Sequence, residues 1–260
     1  MGCVCGTGAR VLPDQVVVPA PRPVLSQISN ASALAKQSNS SDMTARPASK
    51  LPDPKAVVLV YFDALGEAEV IRILLKFLNV DYEDKRLRLE DWEKVREIAE
   101  FGKCPVLLME EKRLVQTRAI LRYVAQKHGL YPALKDLTNI YSLESACDFV
   151  EEIKAPLLAL MEKGEKEQLS QQYERSGEQL RLLALRLVQN KGGKGWFVGS
   201  QISLIDICVV QLLWDFFLRP GLKELHESRV PEALKAYLRL FLSLYSHVSG
   251  YLTTRPASVY

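Results

Sequence analysis

Residues 1–55 contain no Phe, Tyr or Trp; the 10 Tyr, 8 Phe and 3 Trp of the 260-residue chain all lie in 56–260. A segment without aromatics buries too little apolar area to offset an ordering entropy of about 1–2 kcal/mol per residue. The same stretch holds seven of the 13 prolines. Pro19-Ala20-Pro21-Arg22-Pro23 and Gln37-Ser38-Asn39-Ser40-Ser41 read as extended, flexible linker. No apolar run reaches the ~18 residues that a membrane-spanning helix needs. Five cysteines are too few for a disulfide framework, and no C-x-x-C pair is present to support a dithiol mechanism. His128, His226 and His247 are scattered, with no i, i+4 pairing, so no metal site is expected. Hydrophobic residues at 48% and charged residues at 25% are ordinary for a globular protein. Positive charge is confined to the tail: 1–55 has six Lys or Arg against three Asp or Glu, whereas 56–260 balances 28 against 28. A neutral core gives no reason to expect a nucleic-acid partner.

The extreme N-terminus reads Met1-Gly2-Cys3-Val4-Cys5-Gly6-Thr7. It lacks the basic start and apolar run of a signal peptide. Gly2 after the initiator Met is an N-myristoylation acceptor, although the usual Ser or Thr at position 6 is replaced by Gly6, with Thr7 one place later. One myristoyl chain binds membranes only marginally. Cys3 and Cys5 offer thiols for palmitate, the second signal that stable anchoring needs. These first residues resemble the dual-acylated start of Src-family tyrosine kinases, which implies lipidation at Gly2, Cys3 and Cys5 and a place on the cytoplasmic face of a membrane. Without acylation the expected location is the cytoplasm.

From 56 onward the pattern changes. Val57-Val58-Leu59-Val60-Tyr61-Phe62 is a continuous apolar run, expected to be a strand buried on both faces. Asp63-Ala64-Leu65-Gly66 breaks it, and Ala68, Ile71, Leu74, Leu75 and Leu78 follow at helical spacing. Residues 81–87 suit an edge strand and 90–101 a second helix. Val106–Met109 and Arg113–Val115 read as a hairpin around Glu110-Glu111-Lys112, and 116–128 as a third helix. The order βαβαββα is that of a thioredoxin-like α/β domain. Beyond it, 138–164, 165–190, 203–218 and 231–247 carry helical periodicity. Ser203-Leu204-Ile205-Asp206 is close to a capping box, so Asp206 is read as structural. Cys147 and Cys208 fall in helical patterns and read as buried thiols. The expected organisation is a disordered tail over 1–55, a thioredoxin-like domain over 56–135 and an all-helical domain over 138–250.

Tyr61-Phe62, Gly66-Glu67-Ala68-Glu69, Trp92, Phe101-Gly102 with Pro105-Val106-Leu107, Gln116-Thr117 with Ala119-Ile120 and Arg122-Tyr123, and Gly129-Leu130-Tyr131 occur in one order. Together they resemble the cytosolic glutathione S-transferases of the Tyr type, most like the sigma class, over about 56–250. The resemblance implies the glutathione transferase fold, with glutathione as co-substrate and no metal. It also implies conjugation to electrophilic, lipophilic substrates. Tyr61 would stabilise the glutathione thiolate. The segment at Cys104-Pro105, with a cis peptide at Pro105, would pair with the extended tripeptide. Gln116 and Thr117 would hold the γ-glutamyl carboxylate, and Trp92, Arg96 and Lys103 the glycyl end. Asp148 would reach across the two-fold axis of a homodimer. A glutathione-dependent prostaglandin isomerase, or a membrane-anchored glutathione-binding scaffold with little turnover, is the alternative. The scaffold reading is motivated by Glu67, which stands where the family commonly has Arg: a negative charge near a thiolate raises its pKa. Cys104 replaces an aliphatic residue and reads either as a small inert hydrophobe or as a thiol able to form a mixed disulfide.

Overall fold

The computed structural model describes residues 56–256. The expectations for 1–55, including Gly2, Cys3 and Cys5, lie outside the described residues. The apolar run forms β1 (Val58–Phe62) at the interior of a four-stranded sheet. It pairs in parallel with β2 (Glu83–Leu87) and antiparallel with β3 (Val106–Met109), and β3 pairs antiparallel with β4 (Lys112–Val115), in the order β2-β1-β3-β4. Both faces of β1 are covered. Leu59 and Tyr61 enter the main core with α1 (Glu69–Phe77) and α3 (Thr117–Lys127), while Val58 and Val60 meet Leu87, Val106 and Leu108 on the other side. That two-sided burial is why the run is continuous rather than alternating. At the edge, β2 reads Glu-Asp-Lys-Arg-Leu, exposed at Glu83 and Lys85, half-buried at Asp84 and Arg86, and buried at Leu87.

The single helix expected over 90–101 is instead three short pieces. A 3₁₀ turn at Leu89–Asp91 leads into α2 (Trp92–Val95), and a second 3₁₀ turn at Arg96–Ile98 ends in extended Ala99. Trp92, Val95 and Ile98, which cover the second face of the sheet, recur every three residues. That spacing keeps them aligned on a three-residue turn and drifts around an α-helix.

The remainder is helical: α4 (Leu137–Lys163), α5 (Lys166–Gln189), α6 (Leu204–Leu213), α7 (Lys223–His226), α8 (Glu232–Leu244) and α9 (Ser246–Thr254). Asp136 caps α4 by accepting from the Asn139 N–H at 3.1 Å, and Gly164, left-handed at φ 70°, closes it. Every residue of α6 is buried, so it runs through the middle of the helical half. Its N-terminus is a capping box, and the Asp206 carboxylate gathers four donors: the N–H groups of Ser203 (2.8 Å) and Phe197 (3.0 Å) and the hydroxyls of Ser203 (3.0 Å) and Tyr237 (2.8 Å). This is the structural role read from its spacing.

Two expected helices are interrupted. Residues 203–218 widen into a π-turn at Trp214–Leu218, which carries the buried Asp215 inward. Residues 231–247 break at Tyr245, whose ring sits 4.8 Å from Phe77 and 4.9 Å from Phe241. The chain then turns into α9 and returns to α1: the Tyr251 hydroxyl donates to Glu69 at 2.9 Å, and Arg255 pairs with both Glu69 and Asp215. Two buried carboxylates facing one buried guanidinium, itself 5% exposed, tie the end of the helical half to the first helix of the sheet domain.

Candidate active site

Tyr61 stands near the carboxyl end of β1, the end of an α/β sheet at which ligands bind. Its hydroxyl oxygen accepts the Glu67 backbone N–H at 3.1 Å, which leaves the hydroxyl proton free to be donated elsewhere. Burial pushes the phenol up to about 12, against the lowering effect of that backbone hydrogen bond. The group therefore remains a donor at neutral pH. Gly66 makes the contact possible. Its φ is +43°, and a Cβ there would lie 2.9 Å from the ring Cε1 and closer still to the oxygen; only glycine combines that backbone with that approach.

Arg72, on α1 and fully buried, holds the β1–α1 connection from below. Its guanidinium donates to the carbonyls of Ala64 (2.8 Å) and Leu65 (3.3 Å), pairs with Glu69 and Asp84 at 3.1 Å each, and lies 5.8 Å from the Tyr61 ring centroid. Pattern reading missed it because Arg72 looks like a solvated position of an amphipathic helix.

Opposite Tyr61 and Phe62, the Cys104–Pro105 peptide is cis. Because Val60 pairs with Val106, Cys104 lies beside Phe62 at the open end of the sheet. Its half-buried thiol accepts backbone N–H groups of Phe62 and of its own residue; burial raises its pKa despite them. A thiol held protonated favours the inert reading. Gln116 precedes α3 with φ 68° and ψ 110°, a left-handed backbone that an L-residue adopts only under constraint. That signal is invisible in sequence. Thr117 begins α3, whose 11 residues present their N-terminal N–H groups beside it.

Trp92 packs its ring 5.7 Å from Phe62. Arg96 is exposed, paired with Glu93 at 3.3 Å, and passes beside Gly102, next to the exposed Lys103. Asp148, on α4, is engaged within the chain by Arg118, the residue after Thr117, which also meets Glu144 at 3.4 Å.

Glu67 contributes its backbone to Tyr61, while its carboxylate turns to the helical half. Lys154 Nζ lies 3.5 Å from Glu67 and 3.0 Å from Glu151. The Lys154 side chain is 3% exposed. Burial opposes its charge, but the two carboxylates outweigh that and hold the ammonium above its ordinary pKa. The Glu67 charge does act on Tyr61, as its sequence position suggests, but a cation from α4, shared with Glu151, offsets part of it. The signal was legible, since 154 is four residues after Val150 and three before Leu157, both on the buried stripe.

Next to Lys154, α3, α4 and α6 enclose a cavity of about 30 Å³ lined by Arg118, Glu144, Cys147, Cys208 and Gln211. Cys208 is buried, whereas Cys147 is half-buried and hydrogen-bonded to it. Among the described residues, no group of three or more His, Cys, Asp or Glu could hold a metal ion, and no helix is long and apolar enough to cross a membrane.

The family models for the glutathione S-transferase N-terminal and C-terminal domains match residues 57–126 and 146–244. Mouse hematopoietic prostaglandin D synthase is 30% identical over 207 residues, covering 76% of this chain and 96% of that protein. S-crystallin SL11 of Nototodarus sloanii is 31% identical over 156 residues, covering 57% and 74% respectively. The crystal structure of monomeric Na-GST-3, a glutathione S-transferase of the hookworm Necator americanus, superimposes with a TM-score of 0.64 at 26% identity, covering 79% of this chain and all of that one.

Proposed function

The chain belongs to the glutathione S-transferase family and is a glutathione-conjugating enzyme, and we propose that Tyr61 is the group that activates the bound thiol. The observation that carries this is the Tyr61 hydroxyl: buried, kept protonated, and with its oxygen already occupied by the Glu67 N–H. A glutathione thiol placed against it receives the O–H as a hydrogen bond. Its own proton leaves to solvent, and the thiolate lone pair forms the new bond to the electrophile, whose leaving group departs with its bonding pair. Main-chain groups of Cys104 pair with the extended tripeptide. Gln116 and Thr117 take the γ-glutamyl carboxylate at the start of α3, and Trp92, Arg96 and Lys103 take the glycyl end. The family class is Tyr-type, nearest to sigma. Steady-state conjugation of glutathione to an activated aryl halide tests the reading; no turnover with bound glutathione would leave the scaffold alternative. The mouse relative's name favours prostaglandin isomerisation as the second activity to assay.

The protein is a homodimer in this proposal. Tyr141 at 73% and Leu182 and Leu185 at 50% and 58% exposure leave apolar surface along α4 and α5, around a groove lined by Ala146, Phe149 and Leu183. Opening the Asp148–Arg118 pair would free Asp148 for the neighbouring glutathione amine. Light scattering at micromolar concentration should report twice the 29.3 kDa chain mass; a monomer overturns the proposal.

Gly2, Cys3 and Cys5 are proposed as an acylated anchor that holds the enzyme at the cytoplasmic face of a membrane, where lipophilic electrophiles concentrate. In eukaryotic cells Gly2→Ala should move the protein to the soluble fraction, and Cys3→Ser with Cys5→Ser should leave weak, reversible binding. A wild-type protein that is wholly soluble refutes the anchor.

A further inference from the structure

The geometry points to Lys154 as a positioning residue for conjugation. From the helical half, its ammonium offsets part of the Glu67 charge and fixes the 65–67 turn, so that the Glu67 N–H stays on the Tyr61 hydroxyl and the negative charge felt at the bound sulfur is reduced. The inference rests on Tyr61 as the thiolate donor and extends that role across the domain boundary.

Three observations carry it. First, Glu67 is the one residue that touches both partners: its N–H meets Tyr61 at 3.1 Å, and its carboxylate meets Lys154 at 3.5 Å. Second, Lys154 is placed at a cost. An ammonium in the buried stripe of α4 persists only where charge compensates it, and Glu67 and Glu151 are that compensation. Third, no other cation pairs with the Glu67 carboxylate among the described residues. The groups facing this chain of contacts are few. Glu151 on α4 and Cys208 on α6 lie by Lys154; Cys104 before β3 and Glu162 on α4 lie by Tyr61, each acting on it more weakly than burial. Arg118 and Glu144 line the neighbouring cavity and pair with one another. An acidic residue beside a thiolate site is thus compatible with catalysis, because a cation on the side away from the sulfur offsets part of its charge.

The test is spectrophotometric titration of the enzyme-bound glutathione thiol, run beside the pH profile of kcat/KM. Lys154→Met should raise the bound-thiol pKa by about one unit, the low end of the shift a nearby charge produces. Conjugation at neutral pH should then fall about threefold, as the thiolate fraction does when a pKa rises by about one unit across neutral pH, recover at alkaline pH, and leave the KM for glutathione little changed. Lys154→Arg should titrate like the wild type. Glu67→Gln should titrate below it, because one of the two carboxylates that share Lys154 is removed while the ammonium stays. Lys154→Met combined with Glu67→Gln should return the thiol close to the wild-type value. An unchanged titration in Lys154→Met, or a double variant that titrates no closer to wild type, overturns the inference. If Lys154→Met fails to fold, the sign of the Glu67→Gln shift decides, and no shift or an upward shift overturns it. Tyr61→Phe separates the two levels. If it leaves the titration unchanged, Tyr61 is not the donor; if it raises the pKa while the Lys154 and Glu67 variants do not, the donor stands and Lys154 plays no part.

Discussion

Tyr61→Phe should cut the rate of conjugation about 10²-fold or more, the scale expected for losing one preorganised donor to a developing anion. A free thiol with a pKa of about 8.5 is only about 3% thiolate at neutral pH, and lowering it by about two units takes roughly 2.7 kcal/mol of stabilisation. Because the Tyr61 phenol sits at about 12, it does not titrate over the working range. The rate of the wild type should therefore rise with pH through the thiol's pKa alone, and the variant's profile should be displaced to higher pH. Ring packing against Phe62, at 5.7 Å, survives the substitution, so glutathione affinity should change little. Stopped-flow rates and the bound-thiolate absorbance measure both quantities; equal activity in the variant would rule out this mechanism.

Asp206→Ala should be the most destabilising single substitution in the helical half. Asp206 is fully buried and accepts from Ser203, Phe197 and Tyr237. Its removal strands donors around the start of α6, each worth about 1–3 kcal/mol when left unsatisfied. A total of about 4 kcal/mol would be about a quarter or more of the ~5–15 kcal/mol that holds a typical domain, with a fall in Tm of about 10 °C. Asp206→Asn should rescue only part of this: an amide keeps one acceptor oxygen and turns its NH₂ toward groups that themselves donate. Urea or thermal unfolding measures the loss, and a Tm within 2 °C or so of wild type in Asp206→Ala would refute the assignment.

What the sequence disclosed follows the range over which its signals act. The β1 run, the 203–206 cap and the order of motifs around Tyr61 are local patterns, and they placed the strand, the helix start and the crevice. The segment at 90–101 differs from the one helix expected there because its apolar residues recur every three positions, which suits short three-residue turns. Tyr245 gave no local warning of the break it makes, since its constraint comes from Phe77 and Phe241 packed against it from elsewhere in the chain. Candidate site residues could be named wherever one residue type suggests one chemistry, as at Tyr61 and Thr117. Contacts between residues distant in sequence could not. Lys154 meets Glu67 and Arg72 meets Asp84 through tertiary packing, and Gln116 carries its signal in backbone angle rather than identity.

The clasp of Arg255 on Glu69 sets an order of events during synthesis. The two residues are 186 positions apart. A ribosome adding about 5–20 residues per second leaves roughly 10–40 s between them. Throughout that interval the helix that follows the catalytic strand exists without the guanidinium that finally pairs with its buried carboxylate. The sheet domain, although first to emerge, reaches its finished form only after the last helix has been made. Each polypeptide therefore acquires this support for Tyr61 only once Arg255 has been made, rather than as its first half appears.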